Sequence, residues 1–266
     1  MTGSDAATAM PAVFISHGSP MVAVESGPYQ DALAEFGRKF RPSAIVAISA
    51  HWGTSTSISI TGATRHTTIH DFGGFPPALY ELTYNAPGSP DLAERIAELL
   101  REGGWDAKVD PARGLDHGVW IPLRLMFSDA EAPVVEISLP LRLPPEVLYR
   151  IGEALTPLRD ERVLILGSGG VVHNLRLIHF EDVNHAVDPW AAEFDEWFRT
   201  AVEQKKLTEL FHFRETAPHA PLAVPTFEHF APIFVVLGAA SRGGNISTIY
   251  QGFEHGNLSM RSFSIA

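Results

Sequence analysis

Ala44-Ile45-Val46-Ala47-Ile48-Ser49-Ala50-His51-Trp52 is a short, nearly uniform apolar run that ends on an imidazole. Residues 44–49 do not alternate between apolar and polar, so they read as a strand covered on both faces. Upstream, Ala12–Ser16 repeats the pattern and is followed at once by His17. Between the two runs, Tyr29, Leu33, Phe36 and Phe40 recur at spacings of four, three and four, which puts an apolar stripe on one helix. If the two strands are parallel, both ends lie on one sheet edge, where open α/β folds bind their ligands.

Further strands are expected at Ser57–Ile60, Pro133–Ile137, Val163–Leu166, Ile233–Leu237 and Ile246–Tyr250. Helical stripes recur at Leu92/Ile96/Leu99/Leu100 behind Ser89-Pro90-Asp91, at Val147/Ile151/Leu155/Leu158, and at Trp190/Phe194/Trp197/Phe198. The alternation predicts a single layered α/β domain over residues 12–266, with a mostly parallel or mixed central sheet flanked by helices. Residues 1–11 read as a flexible leader, since they lack the basic start and apolar core of a signal peptide.

Composition narrows the chemistry. The 266 residues carry a formal net charge of -11, which disfavours nucleic-acid binding. No stretch reaches the roughly 18 apolar residues of a membrane span. There is no cysteine, so a tightly held transition metal must use His, Asp or Glu, and the cytoplasm is the expected compartment. Composition does not fix an oligomeric state.

Twelve histidines are present, too many for one site. His17 and His51 share the strand-end position, and two neutral imidazoles suit iron, zinc, nickel or copper better than magnesium. A third ligand could come from Pro225-Thr226-Phe227-Glu228-His229. Glu228 would complete a two-histidine, one-carboxylate set and His229 a three-histidine set; either leaves open positions on the metal. His117, in Leu115-Asp116-His117-Gly118-Val119-Trp120, and His173, after Gly167-Ser168-Gly169-Gly170, are possible acid/base groups. That glycine run lacks the spacing of a phosphate loop and suggests close backbone approach instead. Serine hydrolysis is poorly supported, since no Gly-x-Ser-x-Gly elbow is present and neither Ser19 nor Ser168 has an evident partner. Residues 61–90, rich in Gly and Pro, resemble a long ordered loop forming a lid or binding wall, with His70 and Tyr80 as pocket candidates.

Together, Ile15-Ser16-His17-Gly18-Ser19-Pro20, Ser49-Ala50-His51-Trp52, the Asp116-His117 and His173-Asn174 segments and Phe227-Glu228-His229-Phe230 resemble the class III extradiol ring-cleavage dioxygenases, most closely the 4,5-DOPA extradiol dioxygenase-like branch. The resemblance runs from about residue 12 to the C-terminal Gly252–Phe263 segment. It implies a non-haem Fe(II) centre held by His17, His51 and His229, a site that zinc could also occupy. It further implies His173 as acid/base, His117 as a second pocket histidine, and a catechol and dioxygen as reactants opening the ring to a muconic semialdehyde. Trp120, Arg124 and Arg176 lie near these motifs and join His70 and Tyr80 as expected pocket residues. The alternatives are a zinc-dependent hydrolase or a non-catalytic metal-holding protein on the same fold.

Overall fold

Fully buried apolar runs become the inner strands of one sheet. In the computed structural model, which describes residues 9–266, the strands are β1 (Ala12–Ser16), β2 (Ala44–Thr54), β3 (Ile58–Thr61), β4 (Ala107–Asp110), β5 (Val134–Pro140), β6 (Val163–Gly169) and β7 (Ile246–Tyr250). A two-stranded ribbon, β8 (Phe253–Glu254) with β9 (Leu258–Ser259), precedes the last strand, β10 (Ser262–Ile265). The eight-stranded sheet runs β4-β3-β5-β2-β6-β1-β10-β7. Its centre, β5-β2-β6-β1, is parallel, and antiparallel pairs join it to β3 on one side and to β10 and β7 on the other. This is the mixed sheet of a single α/β domain.

Successive side chains on each inner strand enter opposite cores, as the period of two requires. Phe14, Val46 and Ile165 pack with α3 (Pro90–Glu102), α5 (Pro145–Asp160), α6 (Pro189–Glu203) and α10 (Ala231–Ala239). Val13, Ile15, Ala47 and Leu166 pack on the other face with α1 (Pro28–Arg38) and α4 (His117–Met126). Short helices α2 (Pro77–Tyr80), α7 (Leu207–Phe211), α8 (Phe213–Thr216) and α9 (Ala220–Ala223) occupy the connections. The Ser89 side chain accepts the Leu92 N–H at 3.3 Å, which caps α3 where the Ser-Pro-Asp signal puts its start.

The run Ile233–Leu237, expected as a strand, is helical instead. An apolar run buried on all sides carries no period, so strand and buried helix look alike in sequence. Close approach of backbones decides for the helix. A Cβ on Gly152 would lie 2.0 Å from the Val235 carbonyl oxygen, and one on Gly238 would lie 1.8 Å from that of Tyr149. Glycine at both points lets α5 and α10 pack nearly backbone to backbone. For the same reason α4 escaped notice: eight of its ten residues are buried and Pro122 interrupts it.

Of the expected leader, residues 1–8 lie outside the described residues. Met10 is already fixed: its N–H donates to the Arg159 carbonyl at 2.9 Å, and the Arg159 side chain donates to the carbonyls of Met10, Ala239 and Ile265. Among the described residues, no helix is long and apolar enough to cross a membrane.

Candidate metal centre

Because β1, β6 and β2 are adjacent and parallel, their C-terminal ends share one edge, and His17 and His51 meet there. His51 sits within β2, on a bulge. Between the pairs Ile48–Ile137 and Gly53–Leu139, residues 49–52 face Ser138 alone, and this surplus turns the imidazole out of the ladder. The bulge is braced from below: the Ser49 hydroxyl donates to Asp116 at 2.7 Å and accepts the His51 N–H at 3.1 Å. His229 arrives from the segment before α10. Gly170 N–H donates to its carbonyl at 2.9 Å, and a Cβ on Gly169 would lie 2.1 Å from that oxygen. The glycine run therefore serves close backbone approach and makes room for the His229 segment.

One ring nitrogen each from His17, His51 and His229 lies within 4.8 Å of the other two. Their Nδ1 atoms each face an oxygen: His17 faces Ser168 Oγ at 2.9 Å, His229 faces Glu228 Oε1 at 3.2 Å, and His51 faces Asp71 Oδ2 at 3.6 Å. The Nε2 atoms turn inward. Those of His17 and His51 are 3.2 Å apart, and that of His229 is buried without a hydrogen-bond partner. A buried, unpartnered His229 Nε2 beside two more inward-facing Nε2 atoms, each ring backed by an oxygen at Nδ1, suits a transition metal. Glu228 is an orienting partner of His229 in this arrangement.

His117, His51 and Asp71 form a second, overlapping group. Asp71 Oδ1 accepts the His117 N–H at 2.9 Å, and it approaches the ring Nδ1 to 2.9 Å out of hydrogen-bond alignment. The His117 and His51 rings are 4.0 Å apart. His173 stacks face to face on His229 at 3.5 Å. All five histidines line a cavity of about 380 Å³ whose walls include Phe72, Phe75, Leu175, Ile178, Phe180 and Leu258. Among the described residues, no lysine or arginine lines it.

The long loop supplies a wall, but through residues other than those expected. Phe72 and Phe75 face the cavity, while His70, Tyr80 and Trp120 pack around Phe72 at 5.7, 5.3 and 6.4 Å, one layer behind. His70 Nε2 is engaged by the Leu82 carbonyl at 3.0 Å, and Trp120 Nε1 donates to the Ile69 carbonyl at 2.9 Å, so both of these ring nitrogens are paired with backbone. Arg124 and Arg176 do not line the cavity, and Arg176 is exposed beside Leu175, which does. Asp71 and Ser168 are the polar site residues the sequence reading passed over. Ser168 has a histidine partner after all, but it is fully buried behind His17 and cannot act as a nucleophile.

Burial, and then the neighbouring imidazoles, lower His17 well below the ordinary histidine value; they lower His51 to about 2 and His173 to about 3. These rings are neutral at pH 7, as metal ligands and proton acceptors must be. Burial alone would raise Asp71 and Glu228, but hydrogen bonds and charge from His117 and His229 outweigh it and hold both at about 2. Burial raises two other carboxyls, Glu136 (well above the usual range, with Asp116 adding) and Glu254 (to about 7, with Glu25 adding).

A depressed histidine favours folding while neutral, so its contribution is lost as pH falls below the ordinary 6.5 toward the folded value. The raised carboxyls work in the opposite direction. Comparing metal-free wild type with a His173→Gln variant cancels them. Between about pH 7.5 and about pH 5 the wild type should lose roughly 2 kcal/mol more stability than the variant, read from denaturant midpoints. Equal losses would show that His173 is not held neutral in the folded protein.

Residues 11–259 match the family described as the catalytic LigB subunit of aromatic ring-opening dioxygenase. The chain belongs to that family. It is 41% identical over 255 residues to a 4,5-DOPA dioxygenase extradiol of Beta vulgaris, covering 94% of each chain. It is 39% identical over 261 residues to a protein of the same name from Escherichia coli K12, covering 97% of this chain and 95% of the other. The crystal structure of an uncharacterized Escherichia coli K12 protein, JW3007, superimposes with a TM-score of 0.82 at 34% identity, covering 97% of this chain and all of that one. This family member is an extradiol ring-opening dioxygenase, and its overlapping His/His/His and His/Asp/His clusters are consistent with a single Fe(II)-type facial site.

Proposed function

We propose that the chain opens a catechol of the DOPA type with dioxygen, yielding a muconic semialdehyde, at a non-haem Fe(II) held by His17, His51 and His229. The observation that carries this reading is the convergence of three imidazoles whose Nδ1 atoms each face an oxygen, at the floor of an aromatic-walled cavity. The Beta vulgaris and Escherichia coli relatives, each a 4,5-DOPA dioxygenase extradiol by name, support the substrate class.

Fe(II) bound there supplies Lewis acidity toward the catechol oxygens and a route for electron density from substrate to dioxygen. Other steps belong to the protein. Phe72 and Phe75 on one wall, with Leu175, Ile178 and Phe180 on another, sandwich a flat ring and exclude water from it. His173, half-buried and kept neutral chiefly by desolvation, is placed to accept a catechol proton at the cavity side and to return one when the ring opens. Stacking on His229 fixes its plane. His117, held by Asp71, borders the same space and donates toward negative charge developing on oxygen. With no lysine or arginine on the described walls, a substrate carboxylate stays at the mouth.

The test is anaerobic reconstitution of metal-free protein with Fe(II), followed by a catechol panel that includes DOPA. Oxygen uptake should accompany the yellow absorbance of ring-opened product, and zinc-loaded protein should bind catechol without turnover. One iron per chain and no turnover across the panel would overturn the proposal.

A further inference from the structure

Helix α4 contains a proline in its interior, and the consequence reaches the metal centre. In a regular helix residue 122 would donate its N–H to the Gly118 carbonyl, but Pro122 has no N–H to give. That buried carbonyl is satisfied from outside the helix, by the hydroxyl of Ser168 at the end of β6. Ser168 is fully buried, and its oxygen also lies 2.9 Å from His17 Nδ1. A hydroxyl carries one proton. Since Ser168 gives its proton to Gly118, it can only accept from His17, and Nδ1 must therefore be the protonated nitrogen. Nε2 then carries the lone pair, and it faces His51 Nε2 at 3.2 Å.

We propose that Ser168 is a positioning residue for this centre: its hydroxyl, aimed by the carbonyl that Pro122 leaves free, locks His17 in the tautomer that presents the Nε2 lone pair to the metal. The proposal builds on the metal assignment made above. It also gives Pro122 a role that helix propensity opposes, since an interior proline costs a helix about 3 kcal/mol and survives where the freed carbonyl is used. Orienting partners of this kind typically change metal affinity by about 10–100-fold.

The experiment reads the ring nitrogens directly. In metal-free wild type labelled with ¹⁵N-histidine, His17 should show protonated Nδ1 and bare Nε2. Ser168→Ala removes the acceptor, and the ring should move to a mixture of tautomers. Its zinc affinity, measured by chelator competition, should fall about 10–100-fold with the circular dichroism spectrum unchanged. Pro122→Ala restores an N–H for Gly118 and releases the Ser168 proton toward His17, so it should shift the tautomer and weaken zinc while leaving Ser168 in place. The double variant should bind zinc no worse than Ser168→Ala, because both changes act through one hydroxyl. A purely structural role would lower stability without moving the ring signals. The proposal is overturned if wild-type His17 carries its proton on Nε2, or if both single variants bind zinc within about twofold of wild type. Should Ser168→Ala fail to fold, wild type and Pro122→Ala still decide. None of these readouts needs turnover, so failure here leaves the dioxygenase reading standing, and an inactive wild type leaves the tautomer assignment standing.

Discussion

Replacing His173 by alanine should lower ring-opening turnover by about 10²–10⁴-fold, the usual contribution of a positioned acid/base group, while iron stays near one per chain. The reason is geometric. His173 lines the cavity but is outside the group of three whose ring nitrogens converge, so its loss removes a proton acceptor and no ligand. It does touch a member of that group, through the 3.5 Å stack on His229. His173→Phe therefore completes the experiment, since a phenyl ring keeps the stack without the proton chemistry. The phenylalanine variant should be as slow as the alanine variant and hold iron as well as wild type. Iron loss equal to that of a His17 variant would mean that His173 is a ligand and the roles are wrongly divided.

His17→Ala should abolish turnover and metal retention together. His17 has its ring centroid 5.0, 5.3 and 5.6 Å from those of His51, His229 and His117, and it belongs to the three-imidazole group alone. Removing it leaves two imidazoles and a gap where a third lone pair would be. Because losing a partner of a ligand costs about 10–100-fold in affinity, losing the ligand itself should exceed that range. Metal content after gel filtration and oxygen uptake with a catechol are the two measurements. A His17→Ala protein that still copurifies with a full complement of iron would place the metal in the overlapping His51/Asp71/His117 group instead.

The sequence revealed the parallel centre of the fold because fully buried strands announce themselves as apolar runs, and β1, β2 and β6 do so plainly. It could not separate such a strand from a helix buried on every side, which is why α10 was misassigned and α4 was missed. The five histidines were legible because each stands within a short motif. Their supporting groups were not. Asp71 follows the more conspicuous His70 in a loop whose path no local pattern fixes, and the loop presents Asp71 and Phe72 to the site while turning His70 away. Ser168 looked idle because its partner lies 151 positions away, across a strand pairing that only the fold creates. Arg124 and Arg176 were expected in the pocket by sequence proximity alone, and proximity along the chain says little about which way a side chain faces.

The bulge in β2 separates two demands that a single strand would otherwise have to meet at once. Residues 45–48 keep strict pairing with both neighbours, whereas residues 49–52 are released from register with β5. Substitutions in the released part can therefore re-aim His51 while residues 45–48 keep their side chains on the same faces of the sheet. Descendants of this chain could explore new metal geometries there at little cost in folding, and a designer seeking to change the chemistry would begin at the same residues.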